Sequence, residues 1–181
     1  MSEIIKSNQE LEIPWKEKVL NLSKALLGKV DGVKIVGNNG RAVREGSEET
    51  IKTEHEFLPG IYVRRMIMQP DSVVVSLIHK RKHGWFLLKG IMTVVDEEGE
   101  NVFEAPHYQV SKQGTQRVIY AHNEVIMQNV FKNPTDTNDL DSLEDYHYAY
   151  TNEEFEKYIN TKIDDWFDRK SQLNRTLHRL S

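Results

Sequence analysis

Between Leu58 and Lys132 the chain is a succession of short β-rich runs, each closed by a turn signal. "IYVRRMIM" and "SVVVSLIH" are separated by "QPDS", in which Pro-Asp suits a tight turn. "GIMTVVD" and "NVFEAP" flank "EEGE", a hairpin connection whose glycine tolerates positive φ. "YQVSKQG", "QRVIYA" and "EVIMQNVF" follow at similar spacing. Six or seven strands this short, with turns this regular, fit an antiparallel sandwich or barrel and not a βαβ fold.

The flanks read differently. "PWKEKVLNLSKALLG", residues 14 to 28, sets Trp15, Val19, Leu22 and Leu26 at helical spacing, with proline in front and glycine behind. Residues 38 to 53 are polar and contain glycine, so they are expected to form a loop. Residues 138 to 156 carry acidic side chains and no Lys or Arg, which reads as an acidic linker. Beyond it, Thr151 and Glu154 form a capping-box pattern, and Phe155, Tyr158, Ile159, Ile163, Trp166 and Phe167 share one helical face. The expected plan is an N-terminal arm, helix and polar loop (1–53), a β-domain (54–134), and a linker with a long C-terminal helix running from 152 to 168 (135–181).

Composition narrows the chemistry. The chain has no cysteine, so a metal would have to be held by His, Asp or Glu. A net charge of −4 offers no general electrostatic case for nucleic acid, and no apolar run is long enough for a membrane helix. Nucleophile elbow, phosphate loop, dinucleotide and HExxH motifs are all missing.

What remains is "SLIHKRKHGWFLLKG", in which His79 and His83 bracket three cations. On a straight strand, residues four apart are about 13 Å apart, too far to share a metal. If the chain turns through "KRK", the two imidazoles face each other and suit Zn, Fe, Mn or Ni. Two ligands do not hold a metal firmly, and His55 and His107 are the candidates to complete the set. The competing expectation is two solvent-facing histidines on a basic hairpin. Arg64 and Arg117 are candidates to hold an anionic ligand, with Tyr62 and Tyr120 to orient it. Adjacent strand residues point to opposite faces, so only one of Arg64 and Arg65 turns inward.

The same stretch resembles the first motif of the cupin superfamily. Aligned on Gly90, His79 takes the place of the second cupin histidine, His83 that of the glutamate, and Leu77 that of the first histidine. "KQGTQRVIYA" is similar to the second motif at Gly114, with Lys112 in place of its proline and Arg117 in place of its histidine. Over roughly residues 54 to 156 the chain resembles small cupin-like proteins of tailed phages and prophages. The residues that carry this likeness are His55, Pro59-Gly60, Tyr62-Val63-Arg64, His79, His83, Gly90, Ala105-Pro106, Gly114, Arg117 and Tyr120. The resemblance implies a mainly β fold, a cupin-like antiparallel β-barrel or jelly roll, with a phage origin and no established reaction.

Two functions of different class follow. One is a small-molecule cupin binding a divalent metal and an anion, located in the cytoplasm of an infected host. The other is a non-catalytic virion or assembly component that uses the barrel as a scaffold and contacts other phage proteins. Trp166 and Phe167 on one helical face further suggest a homo-oligomer, most simply a dimer.

Overall fold

The computed structural model describes residues 13–29, 33–36, 41–44, 51–163 and 165. The chain divides into two compact units, 1–46 and 47–181. In the first, α1 (Trp15–Lys29) begins where the Pro14 carbonyl accepts the amides of Glu17 and Lys18, both at 3.0 Å. Proline lacks an amide of its own, so it is well placed at a helix start. The expected loop is partly a hairpin, because β1 (Val33–Val36) pairs antiparallel with β2 (Arg41–Arg44).

The second unit holds ten consecutive strands: β3 (Ile51–Leu58), β4 (Ile61–Met68), β5 (Val73–Val75), β6 (Ile78–His79), β7 (His83–Lys89), β8 (Ile91–Asp96), β9 (Gly99–Glu104), β10 (His107–Ser111), β11 (Val118–Ala121) and β12 (Val125–Lys132). One sheet has the order β10-β7-β12-β4-β3 and the other β5-β11-β8-β9. The pairing is nested: β4 with β12, β5 with β11, β7 with β10, β8 with β9, all antiparallel. Further pairing of β12 with β7 and β11 with β8 rolls that long hairpin over into a jelly roll. The sheets end at β10, β3, β5 and β9 without closing, so the expected barrel is a two-sheet sandwich. β3 was expected as loop up to residue 53. Its polar sequence "IKTEHEFL" conceals an inward face of Ile51, Thr53, His55 and Phe57.

Alternation fills the interior. Met66 and Met68 on β4, Trp85 and Leu87 on β7, Met92 and Val94 on β8, Ile119 and Ala121 on β11, and Val125 and Met127 on β12 form one largely aliphatic cluster. Tyr62, Phe131, Leu143 and Tyr148 form a second, aromatic cluster at the other end. Gly90 joins β7 to β8 at φ +91°, where a Cβ would stand 2.3 Å from the Glu124 carbonyl oxygen. Both the backbone conformation and that close approach require glycine.

The expected acidic linker is folded. Asp139 caps α2 (Leu140–His147), its carboxylate accepting the amides of Asp141 and Ser142, both at 3.3 Å. β13 (Tyr148–Ala149) then pairs with β6. Helical backbone follows over 152–163 and at 165, and the remainder of the helix expected to 168 lies outside the described residues. Trp166 and Phe167 lie outside the described residues. The Thr151 hydroxyl accepts the Glu154 amide at 3.1 Å, and Glu154 reaches back to the Tyr150 amide at 3.0 Å. This segment docks on its own sandwich. Lys80 donates to Glu154 (2.7 Å) and to the Asp145 carbonyl (2.9 Å), and Arg81 lies 3.5 Å over the Tyr146 ring. Lys80 and Arg81 of "KRK" therefore hold the acidic segment, and Lys80 is itself buried. Among the described residues no helix is long and apolar enough to cross a membrane.

Candidate functional site

The site is assembled from the inward face of the five-stranded sheet. Because side chains alternate, His83, Trp85 and Leu87 of β7 all point between the sheets. Cross-strand register then builds rows. Phe131, Tyr62 and Phe57 make one row across β12, β4 and β3. Trp85, Asn129, Arg64 and His55 make the next, across β7, β12, β4 and β3. Arg117 enters from the stretch just before β11 of the opposite sheet.

His79 and His83 come together, and neither is solvent-facing. Each is 6% exposed, and their rings stack with centroids 4.4 Å apart. The turn alone does not bring this about, since β6 is held by β13 and by the Thr115 carbonyl, which accepts the His79 amide at 3.0 Å. Nδ1 of His79 donates to the same carbonyl at 3.0 Å, and Nδ1 of His83 donates to the Arg81 carbonyl at 3.4 Å. A carbonyl only accepts, so each neutral ring carries its proton on Nδ1 and its lone pair on Nε2. Nε2 of His83 is buried without a hydrogen-bond partner.

Burial is the main reason both rings resist protonation. His83 is pushed down to about 4, with Arg117 and His147 adding to burial while the Arg81 carbonyl and Asn129 oppose it. His79 falls well below the ordinary imidazole value through burial, its neighbour His83, Arg117 and Arg64.

The remaining expected residues divide. Arg64, and not Arg65, turns inward; Arg65 pairs with Glu54 (3.2 Å) and with Gln128 on the outer face. Burial opposes the Arg64 charge, but Tyr148, Tyr62 and Glu144 outweigh it and hold its value above that of an ordinary guanidinium. Arg117 is buried, donates to the Ser111 hydroxyl at 2.6 Å and sits 3.8 Å from Asp96. Tyr62 lies in the aromatic row, sharing a 2.8 Å hydrogen bond with Nδ1 of His55, and burial pushes its phenol up to about 12. Tyr120 does not join them. It is on the other face of β11 from buried Ile119 and Ala121, and its hydroxyl donates to Asp71 at 2.5 Å.

The four-histidine metal set is not assembled either. His55 on β3 is three strand spacings from β7, about 14 Å at ~4.8 Å each, with Tyr62 and Phe131 between. His107 pairs in register with Leu87, four residues along β7 from His83, and packs between Phe103 (4.4 Å) and Trp85 (5.4 Å). Among the described residues no group of three or more His, Asp or Glu is placed to hold a metal. Two imidazole lone pairs suit a divalent metal chemically. However, the charges of Arg64 and Arg117 at His79 oppose any cation there as they oppose a proton. Among the described residues, two imidazoles without a third His, Asp or Glu do not fit a resident metal.

Sequence reasoning missed Trp85, Asn129, His147 and Tyr148. The first two sit two residues from His83 and Phe131 on the same strand faces, so strict alternation identifies them. His147 and Tyr148 lay in the supposed linker. His147 donates from Nε2 to the Lys132 carbonyl at 2.8 Å, and burial pushes it down to about 4.

No protein-family model matches the chain, and neither does any curated protein. Similar solved structures include KdgF from Halomonas sp., at TM-score 0.43 and 13% identity over 55% of this chain and 94% of that one. Ectoine synthase from P. lautus has TM-score 0.41 and 10% identity over 46% of this chain, which spans 64% of that protein. The cupin domain of Schizosaccharomyces pombe Cnp3 has TM-score 0.40 and 12% identity over 46% of this chain and 65% of that one.

Proposed function

We propose that the jelly roll is a cupin-like small-molecule-binding domain that takes a small organic anion between its two sheets, without a resident metal. The observation that carries this is that two inward arginines, Arg64 on β4 and Arg117 just before β11, both act on the buried neutral ring of His79, and Arg117 acts on His83 as well. Guanidinium groups offer paired donors to a carboxylate or phosphate, and a partly desolvated site strengthens that attraction. Neutral histidines do not repel the arginines, so the burial that keeps them uncharged also lets the cations stand close by.

The test is a thermal-shift titration with small carboxylates and phosphates. A ligand that binds only the folded state adds about 2.7 kcal/mol at a hundredfold excess over Kd. Arg64→Met should abolish the shift while leaving the circular dichroism spectrum unchanged. Equal shifts in wild type and in both Arg64→Met and Arg117→Met would place the anion elsewhere and defeat this reading.

A further inference from the structure

Two buried ring nitrogens on β7 have no hydrogen-bond partner, and they are of opposite kinds. Nε2 of His83 is an acceptor, because Nδ1 donates to the Arg81 carbonyl at 3.4 Å. Nε1 of Trp85, on a side chain only 1% exposed, is a donor and nothing else. An unsatisfied buried polar group costs about 1–3 kcal/mol, so two of them side by side need an explanation. The two residues are two apart on one strand, so their side chains leave the same face roughly 6.6 Å apart. Arg117 stands over the Trp85 ring at 5.8 Å, which puts positive charge beside the indole donor. Asn129 is the cross-strand partner of Trp85, and its side chain comes near enough to the His83 ring to favour the protonated form by hydrogen bonding, but it does not close a hydrogen bond to Nε2.

A plain carboxylate satisfies only half of this arrangement. It accepts from Trp85 and from guanidinium, but it has no proton to give the His83 lone pair. A neutral polyol satisfies the other half and leaves the arginines unanswered. One molecule that carries an anionic acceptor and a hydroxyl a few ångströms away meets both needs.

We infer that the ligand is a hydroxycarboxylate, its carboxylate facing Trp85 Nε1 and Arg117 and its hydroxyl donating to Nε2 of His83. This rests on the anion-binding reading above and adds to it the chemical class of the anion. Sites built to pair a substrate hydroxyl reject the analogue that lacks it, because their own polar group is then left buried and unpaired.

The test is calorimetric titration of the full chain at neutral pH with matched pairs: lactate against propionate, malate against succinate, and glycerol as the neutral control. Each hydroxy acid should bind at least about tenfold more tightly than its deoxy partner. His83→Phe, which keeps an aromatic ring of similar size, should bring that ratio close to one while deoxy-acid binding persists. A two-dimensional amide spectrum should show the Trp85 indole resonance moving with either acid and not with glycerol. If lactate and propionate bind equally in wild type, the hydroxyl assignment is wrong and the anion reading stands. If no acid binds, or glycerol binds as well as lactate, both fall. If His83→Phe does not fold, His83→Gln, whose side chain retains an acceptor, must keep at least part of the preference, and its complete loss there would also count against the assignment.

Discussion

The two ends of the sandwich are built from the same strands and are chemically opposite. At one end Met66, Met68, Leu87, Met92, Val125 and Met127 pack without a polar side chain among them. At the other, β4, β7 and β12 contribute Tyr62, Arg64, His83, Asn129 and Phe131, joined by His79, Arg117, His147 and Tyr148. The first end supplies cohesion by burying apolar surface, which is non-directional and tolerant of repacking. The second buries groups that water would otherwise solvate, and that costs free energy unless every one finds a partner. A chain whose only need was stability would extend the aliphatic end through the whole interior. In this one the apolar cluster ends at Trp85 on β7, whose ring belongs to it while Arg117 stands 5.8 Å over the indole.

Acidification should separate the two ends most strongly. His83 and His147 both fall from 6.5 in the unfolded chain to about 4 in the fold. A base whose folded value is lowered stabilises the fold while it is neutral. Its contribution is therefore complete above pH 6.5 and is lost as pH falls from there towards 4. Each histidine supplies up to about 3 kcal/mol in this way. Urea denaturation between pH 7 and 4 should show stability falling steeply, and His83→Phe with His147→Phe should make the dependence shallower, leaving the part due to His79. An unchanged slope in that double variant would show that these two imidazoles do not govern the acid response.

The next largest effect belongs to the aliphatic end. Leu87→Ala should cost about 2–5 kcal/mol, since the side chain is fully buried among methionines and valines. Anion affinity should stay within about twofold when measured well below the new melting temperature, because Leu87 lies in the row of Met127 and His107 and not in that of Arg64. A parallel loss of affinity would mean that the ends are coupled rather than distinct.

Smaller again is Lys80→Met, which removes the bonds to Glu154 and the Asp145 carbonyl. The expected cost is about 1–2 kcal/mol, concentrated in α2 and the 152–163 segment. Hydrogen exchange should report faster opening there and unchanged protection in β8 and β11. Smallest of all is Tyr120→Phe. The hydroxyl bonds Asp71 on the outer face, so stability should change by no more than about 0.5 kcal/mol and anion binding not at all.

How far each feature could be read from sequence follows from the range of the interactions that fix it. Strand runs such as "IYVRRMIM" and "EVIMQNVF" identify themselves because alternation and turn residues act over a few positions. The α1 start at Pro14 and the Thr151–Glu154 cap are equally local. β3 escaped because five of its eight residues are charged or polar, and only pairing with β4 shows that Ile51, Thr53, His55 and Phe57 share an inward face. α2 escaped because its run of acids reads as a solvated linker. In the fold those acids are answered: Asp139 caps the helix and Lys80 reaches across to Glu154.

For the site, the sequence alone determined that His79 and His83 are the pair to examine, that one arginine of Arg64 and Arg65 turns inward, and that no thiolate takes part. Only the tertiary structure decided which arginine that is, through its register with Asn129 and His55. It also decided that His55 and His107 stand apart from the pair, and that a carbonyl from Thr115, 36 residues away, fixes the proton of His79 on Nδ1. The physical reason is that face and spacing along a strand are set by local backbone geometry, whereas register, sheet order and burial are set by partners distant in the chain. A histidine is a metal ligand, a proton carrier or an uncharged acceptor according to those partners.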